Sequence, residues 1–241
     1  MLPNPRYLLS KLDLSAPLIG LYDAPDPEPF NPLVYFPQNR RACLFEFYND
    51  WINGKTLVTS AKEYGCGGCG TWWFNRQTRT REEYLDFLAN KEGLKASEEL
   101  MATWFDAAER YQPKHGYLMV GPLKDAEYDY LKTITFYVNP DQLSVLLTGA
   151  QYFQPYSGEP VVSVDFGSGC MEMLNLLEGK AGPRAIVGAT DMAMRQNLPP
   201  NILAFTVNKE MYENLCKLDE MSFLGKPFLK VLKHSRGGSL E

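Results

Sequence analysis

The chain has 241 residues, of which 45% are hydrophobic and 13% aromatic, and it carries a net charge of −5. This composition is typical of a globular protein with a core and excludes a disordered chain. Lys and Arg are scattered along the sequence. We therefore expect no surface for nucleic acid or for an anionic membrane, since both need clustered cations.

The N-terminal segment MLPNPRYLLSKLDL has no basic region followed by an apolar run and a cleavage site, which predicts no signal peptide. No apolar stretch approaches the roughly 20 residues that span a bilayer. We therefore expect a cytoplasmic protein. In that reducing compartment, cysteines that cluster indicate metal or redox chemistry more often than disulfide scaffolding.

The first half of the chain is predicted to mix strands and helices. APLIGLYDA and KTLVTSAK have the pattern of strands, whereas the five prolines of residues 25–37 predict an extended loop. RRACLFEFYNDWING has helical spacing that ends at Asn53-Gly54. Two further helices are predicted at TREEYLDFLAN and ASEELMATWFDAAERY, with Ser97 as the N-cap of the second and Leu100 and Trp104 on its apolar face.

In the second half, strands and helices alternate. YLMVGPL, TITFYVN, VVSVDF, RAIVGA and ILAFTVN are predicted strands, and PDQLSVLLTGAQYF, GSGCMEMLNLLEG, DMAMRQN and KEMYENLCKLDEM are predicted helices. This alternation predicts an α/β (mixed α+β) fold in which helices cover a mixed sheet. We expect a single domain over residues 1–236, with a smaller N-terminal lobe over residues 1–95 as the alternative, and a flexible tail over residues 237–241.

The segment EYGCGGCGTWW contains two of the five cysteines, Cys66 and Cys69. Two cysteines at this spacing can reach one metal ion, because the intervening turn brings the sulfurs to one side. A redox dithiol is an alternative, although such a pair usually begins a helix and the following TWWF run makes a helix less expected. The third interpretation is a glycine-rich turn, anchored to the core by Trp72 and Trp73.

Cys170 follows a predicted strand and a Gly167-Ser168-Gly169 turn and lies in the first turn of a predicted helix. There the helix dipole favours a thiolate, the form that binds metals or attacks electrophiles. Two other interpretations are open: a small residue in tight packing, or a turn whose amides bind an anion.

Other candidates carry weaker signals. Asp191 and Arg195 are four residues apart, which fits a solvated helix pair or, alternatively, an arginine that faces a bound anion. His115 precedes a strand and has a structural or a proton-donating interpretation. Cys43 lies near the start of a predicted helix, and Cys216 is expected to serve packing only.

Several of these motifs together resemble the family called domain of unknown function 169, found in bacteria and archaea. The resemblance is carried by six segments: the early helix with Cys43, the Cys66-Gly67-Gly68 loop, YLMVGPL, ITFYVNPDQLSVLLTGAQY, Gly169-Cys170, and GATDMAMR followed by LAFTVN. It implies that Cys43, Cys66 and Cys170 belong to one pattern, from which Cys69 departs. It implies no activity.

We therefore expect Cys43, Cys66 and Cys170 to converge on one site, with Cys69 as an optional fourth ligand. Thiolates with almost no histidine suit an iron–sulfur cluster or a soft metal. The predicted function is redox chemistry on a small molecule, whose anionic group Arg195 or the Gly167–Gly169 amides would hold. The alternatives are a binding or sensing module without turnover and a thiol–disulfide redox protein.

Overall fold

Eight strands form one mixed sheet in the computed structural model, which describes residues 3–155 and 158–241. The strand order is β2-β3-β4-β1-β5-β8-β7-β6. The two outer pairs, β2 with β3 and β6 with β7, are parallel, and all other neighbours in this sheet are antiparallel. The strands are β1 (Ile19–Ala24), β2 (Leu33–Tyr35), β3 (Thr56–Ser60), β4 (Tyr117–Pro122), β5 (Leu131–Val138), β6 (Val162–Ser163), β7 (Ala185–Gly188) and β8 (Leu203–Asn208).

Helices cover both faces of the sheet. The α-helices are α1 (Arg6–Leu12), α2 (Tyr48–Ile52), α3 (Gly67–Phe74), α4 (Arg81–Leu85), α5 (Glu98–Ala107), α6 (Pro140–Gln151), α7 (Gly169–Met173), α8 (Met192–Arg195), α9 (Lys209–Cys216) and α10 (Pro227–Ser235). Short 3₁₀ helices span Glu28–Phe30, Leu44–Phe47, Asp125–Tyr130 and Phe223–Gly225, and α4 continues as a π-helix over Asp86–Lys91. The mixed α/β fold predicted from the sequence is confirmed.

The core divides into two layers, one on each face of the sheet. Side chains alternate along a strand, so Ile19 and Leu21 of β1 point into one layer and Tyr22 and Ala24 into the other. The first layer is built with α2, α3, α5, α7 and α8, and the second with α1, α6, α9 and α10. All six residues of β1 are buried, as expected for a central strand covered on both faces.

Most predicted elements form where the sequence places them, including the N-cap at Ser97, whose side chain accepts a hydrogen bond from the Leu100 amide. The face predicted for that helix holds for Trp104, which is partly buried against the core, and is wrong for Leu100. Leu100 is 54% exposed, and Met101 and Phe105 are buried instead, because the apolar stripe that meets the core is shifted by one residue.

The segment from residue 25 to residue 37 is more structured than the predicted extended loop. It contains a 3₁₀ turn and strand β2, which pairs Leu33 with Thr56 of β3. Strand β2 lies at the edge of the sheet, where prolines are tolerated because only one side of the strand needs hydrogen-bond donors.

The Gly-Cys segment is also not a loop, since Gly67 begins helix α3. Its glycines allow close packing: a Cβ at Gly70 would lie 2.5 Å from the Tyr64 ring. By contrast, the predicted strand VVSVDF is regular only over Val162–Ser163, and the helix predicted at GSGCMEMLNLLEG ends at Met173.

The C-terminal residues 237–241, for which we expected flexibility, make specific contacts with the domain. Leu240 is buried, and its amide donates to the Asp13 carboxylate at 2.9 Å. Within residues 3–155 and 158–241, no helix is long and apolar enough to cross a membrane.

Candidate functional site

A cavity of about 620 Å³ opens on the first core layer, between α3, α7, α8 and the π-helix. Four of the five cysteines line it: Cys43, Cys66, Cys69 and Cys170. They come from three separate segments of the chain. The fold thus brings together the four cysteines that the sequence analysis assigned to one site, and it leaves Cys216 on α9, outside this cavity.

Cys66 and Cys69 occupy the beginning of α3. Cys66 is the N-cap residue with an extended backbone, and its carbonyl accepts the Gly70 amide at 3.1 Å. Cys69 lies in the first turn and is only 1% exposed. The pair therefore has the helix-start placement that sequence analysis considered less expected.

Cys170 reaches the same place from α7. Its carbonyl accepts a hydrogen bond from the Trp73 indole at 2.8 Å, which ties α7 to α3, and its sulfur lies 3.1 Å from the Ser168 hydroxyl. A Cβ on Gly68 would be 3.7 Å from the Cys66 sulfur and 3.8 Å from the Cys170 sulfur. Both sulfurs therefore lie close to Gly68, and the Cys69 thiol is in hydrogen-bond contact with each of them.

Cys43 also lines the cavity. It lies immediately before the 3₁₀ helix Leu44–Phe47. The Glu46 carboxylate accepts its amide at 2.9 Å and so fixes the start of the turn. Burial raises the pKa of the Cys43 thiol to about 12, and the charges of Cys66, Cys170 and Asp191 act in the same direction. Cys43 is therefore protonated at neutral pH.

Cys66 and Cys69 differ sharply in acidity. Hydrogen bonding from the Cys69 thiol, supported by the Cys69 and Gly68 amides and by Arg41, lowers the pKa of Cys66 to about 6 against the opposing effect of burial. Contacts with the Cys170 and Cys66 sulfurs, together with complete burial, raise the pKa of Cys69 well above its usual range. At neutral pH, Cys66 is a thiolate that receives a hydrogen bond from a buried thiol.

The Cys69 side chain is in hydrogen-bond contact with the sulfurs of Cys66 and Cys170. Across the part of the chain that the structure describes, no group of three or more His, Cys, Asp or Glu side chains is placed so that it could hold a metal ion. The donor set itself consists of four thiols and no histidine, which is the chemistry that iron–sulfur clusters and soft metals select.

The Gly167-Ser168-Gly169 turn also lines the cavity. The Gly169 amide donates to the Asp191 carboxylate at 3.4 Å, so an acidic side chain already lies at this turn. A Cβ on Gly169 would lie 2.5 Å from the Phe45 ring, which shows that close packing requires glycine here.

The expectation that Arg195 faces a bound anion is wrong in this structure. Its guanidinium donates to the backbone carbonyls of Ile202, Pro199 and Pro200, away from the cavity lining. Asp191 does not pair with Arg195 either, because its carboxylate caps α8 by accepting the Ala193 amide at 2.9 Å. The Asp191 carboxylate and the Arg195 guanidinium are thus each bound to backbone groups instead of to each other.

His115 lies far from the cysteines in the fold. It lies near the end of the loop before β4, and its Nδ1 is 3.3 Å from the carboxylate of the buried Asp23. Asp23 also accepts the Tyr111 hydroxyl and the amides of Lys114 and His115. This network supports the structural interpretation of His115.

Sequence reasoning missed Glu172, a buried carboxylate on α7. It accepts the Ala189 amide at 2.7 Å and the Thr190 hydroxyl at 2.5 Å, and it thereby holds the backbone after β7, where Ala189 has a φ of 62°. Burial raises the pKa of Glu172. Its sequence signal is a charged residue within the apolar run CMEMLNLL, because a buried charge needs partners.

Sequence reasoning also missed several charged and aromatic residues that line the cavity. Arg41, Arg79 and Glu92 contribute charges, and Trp104 and Phe166 contribute a ring wall. These residues come from loops and from helices distant in sequence, and no spacing rule connects them.

The fold and the cavity define a mixed α/β protein with a cysteine-lined pocket of small-molecule size. The sequence model of the family described as uncharacterised ArCR, domain of unknown function 169, matches residues 8–217. Because this match covers most of the chain, the protein belongs to that family, and the resemblance seen in the motifs is confirmed. Searches among curated proteins and among solved structures give no match.

Proposed function

We propose that the protein performs redox chemistry on a small molecule in the cavity, with an iron–sulfur cluster or a soft metal held by Cys43, Cys66, Cys170 and, as a fourth ligand, Cys69. The observation that carries this proposal is the convergence of four cysteines from three distant segments on one cavity. A structural role for four buried or partly buried thiols would not need them in a single pocket.

The chemistry of the ligands favours iron–sulfur or soft metal over hard cations. Thiolates bind soft and borderline metals, whereas Mg²⁺ and Ca²⁺ select oxygen donors. A bound cluster would supply one-electron transfer, and the surrounding Trp72, Phe45 and Met194 would keep it in a dry environment that tunes its potential. The cavity leaves room for a substrate beside the sulfurs. We also propose that the protein works in a reducing compartment, the cytoplasm, where such thiols persist.

Uptake of a metal would require the thiols to change their arrangement. In the structure the Cys69 thiol donates to Cys66, and Cys43 is protonated. Binding would remove these protons, because thiolates are the ligating form, and the side chains would rotate from mutual contact toward the ion. Metal affinity should therefore increase with pH.

Anaerobic purification followed by iron and acid-labile sulfide analysis tests the proposal. The wild-type protein, reconstituted with ferrous iron and sulfide, should bind both and show visible absorption. Cys43→Ser and Cys170→Ser should lose most of the iron, whereas the matched control Cys216→Ser should retain it. Colourless, iron-free wild-type protein after reconstitution, and after incubation with Zn²⁺ or Cu⁺ as soft-metal probes, would rule out the metal site.

A second candidate, thiol–disulfide exchange, is favoured by the placement of Cys66 and Cys69 at the start of α3. The Cys66 thiolate would attack a substrate disulfide and form a mixed disulfide, releasing one substrate thiolate. Cys69, after loss of its proton, would then attack the Cys66 sulfur, forming the Cys66–Cys69 disulfide and releasing the second thiolate. Two electrons pass from the protein dithiol to the substrate.

Equilibration with glutathione redox buffers distinguishes this candidate from the metal site. The metal-free wild-type protein should gain one intramolecular disulfide over a defined range of potential, as measured by mass spectrometry after alkylation. Cys69→Ser should instead accumulate a mixed disulfide with glutathione on Cys66. Absence of both products under oxidising buffers would exclude dithiol chemistry.

A further inference from the structure

One part of the cavity wall is apolar, and another part carries charged side chains. Trp104, Phe166, Phe87 and Leu88 present an apolar, largely aromatic surface, and the rings of Trp104 and Phe166 meet edge to face with centroids 4.9 Å apart. The volume of about 620 Å³ falls in the range of small-molecule sites. The site is therefore built for a ligand with an apolar body.

Arg79 supplies a cation at this wall. Its guanidinium stacks over the Phe87 ring at 4.2 Å, and it is partly buried. A cation–π contact engages the charge of the guanidinium without using its N–H donors for a hydrogen bond. Burial raises the pKa of Glu92, which also lines the cavity, and the charge of Arg79 only opposes this rise. Arg79 and Glu92 do not form an ion pair within 4.0 Å.

Four arginines outside the cavity lining have carboxylate partners, in contrast to Arg79. Arg40, Arg81, Arg184 and Arg236 are all in ion pairs with carboxylates. Arg41, the second arginine of the cavity, acts on the Cys66 thiolate. The remaining acid of the cavity, Asp191, has its carboxylate engaged by the Ala193 and Gly169 amides. Among the described residues, Arg79 thus lines the cavity without a carboxylate in contact.

The backbone beside Arg79 is unusual as well. Phe87 and Leu88 lie on the π-helix Asp86–Lys91, which widens the helix by one residue per turn at the cavity wall. Short π-helical segments occur frequently at functional sites, since they cost stability that a regular helix would retain. This irregularity independently marks the wall that includes the Arg79–Phe87 stack.

We propose that the cavity binds a small molecule with an aromatic or apolar body and one anionic group, and that Arg79 anchors this anionic group while the body lies against Trp104 and Phe166. A carboxylate or sulfonate would accept two N–H bonds from the guanidinium. The proposal rests on the proposed function only in taking the cavity as the reaction site; the bound molecule would lie beside Cys66.

A pair of matched fluorescent probes tests the charge requirement. 8-Anilinonaphthalene-1-sulfonate is an aromatic anion, and N-phenyl-1-naphthylamine has the same aromatic framework without the sulfonate. We expect the full-length protein to bind the sulfonate probe in the cavity, and Arg79→Gln to weaken that binding about tenfold or more, corresponding to about 1.4 kcal/mol. Binding of the neutral probe should change by less than threefold.

Three further variants keep the result interpretable. Arg76→Gln removes an exposed arginine outside the cavity lining and should leave both affinities unchanged. Arg79→Lys keeps the charge without the planar fork and should lie between the wild type and Arg79→Gln. Trp104→Ala should weaken both probes, because it removes the apolar wall.

Three outcomes would overturn the inference: no binding of either probe, equal loss of both probes in Arg79→Gln, or a sulfonate affinity that Arg79→Gln leaves unchanged. The titrations are repeated with Cys66→Ser, which cannot assemble the complete cysteine site. Probe binding that persists in Cys66→Ser, alongside failed iron reconstitution of the wild type, would reject the metal site and retain the anion site. Successful iron reconstitution of the wild type, alongside absence of probe binding to the wild type, would reject the anion site alone.

Discussion

At the scale of single residues, Cys66 and Cys69 share one helix turn but have different environments. Cys66 is partly buried at the N-cap of α3, whereas Cys69 is buried beneath it. The proton is held by Cys69, which donates to Cys66. This asymmetry makes Cys66 the more reactive thiol under either proposed chemistry.

Alkylation kinetics test the acidity of Cys66. The rate with iodoacetamide follows the thiolate fraction, so for Cys66 it should rise as the pH increases through about 6 and level off by about pH 8. Cys43, with a pKa of about 12, should remain unmodified at pH 8. Mass spectrometry of the cysteine peptides at each pH gives both rates. A Cys66 rate that rises only above pH 8 would contradict the assignment.

Glu172 provides a residue-scale test of the contacts that hold the backbone after β7. Glu172→Gln replaces one acceptor oxygen by an amide donor opposite the Ala189 amide or the Thr190 hydroxyl. We expect a loss of about 1–3 kcal/mol in the free energy of unfolding, because a buried hydrogen bond is lost. Urea denaturation measures it, with the exposed Glu210→Gln on α9 as the control that should change little. Equal stability of the two variants would show that Glu172 does not hold the backbone at Ala189 and Thr190.

At the scale of elements, α3 shows why sequence patterns predicted some features and missed others. Glycines argue against a helix because of their backbone entropy, so the propensity rule indicated a loop. Tertiary packing overrides that rule here, since Trp72, Trp73 and Phe74 are buried behind the cysteines. The strands were easier to predict, because alternating or continuous apolar runs such as TITFYVN leave few alternatives.

Two of the three glycines of α3 give a matched prediction. Gly70→Ala would place a Cβ 2.5 Å from the Tyr64 ring and 2.8 Å from Thr78, so we expect a loss of about 1–3 kcal/mol in stability. Gly68→Ala has ordinary contact distances of 3.7 and 3.8 Å to the two sulfurs and should change stability by less than about 1 kcal/mol. Chemical denaturation of both variants provides the comparison. If Gly68→Ala were the more destabilised, the packing of α3 described above would be wrong.

At the scale of the whole molecule, the order of strands places the cavity. Strand β1 lies between β4 and β5, and the segments that carry Cys66 and Cys170 pack on the same face of the sheet. The mixed fold could be predicted from alternating elements, but the order could not, because pairing between distant strands leaves no local pattern. The cysteine grouping was predicted from family resemblance and thiol chemistry. Arg79, Glu172 and the aromatic wall depend on tertiary contacts alone.

A truncation tests whether the first 95 residues form an independent lobe. Both neighbours of β1, Tyr117–Pro122 and Leu131–Val138, lie beyond residue 95. A fragment of residues 1–95 would expose both edges and both faces of this buried strand, so we expect it to remain unfolded. Circular dichroism and amide chemical-shift dispersion measure the outcome. A folded, cooperatively melting fragment would establish the smaller lobe instead.

Cysteines from distant segments meet in one cavity, and disulfide mapping of the metal-free protein tests this convergence most directly. Mild oxidation with diamide removes two electrons and two protons from a neighbouring thiol pair. We predict that non-reducing digestion and mass spectrometry will find Cys69 joined to Cys66 or to Cys170, with Cys216 free. Disulfides that involve Cys216, or Cys66, Cys69 and Cys170 all remaining free while the reagent is consumed elsewhere, would contradict the shared site.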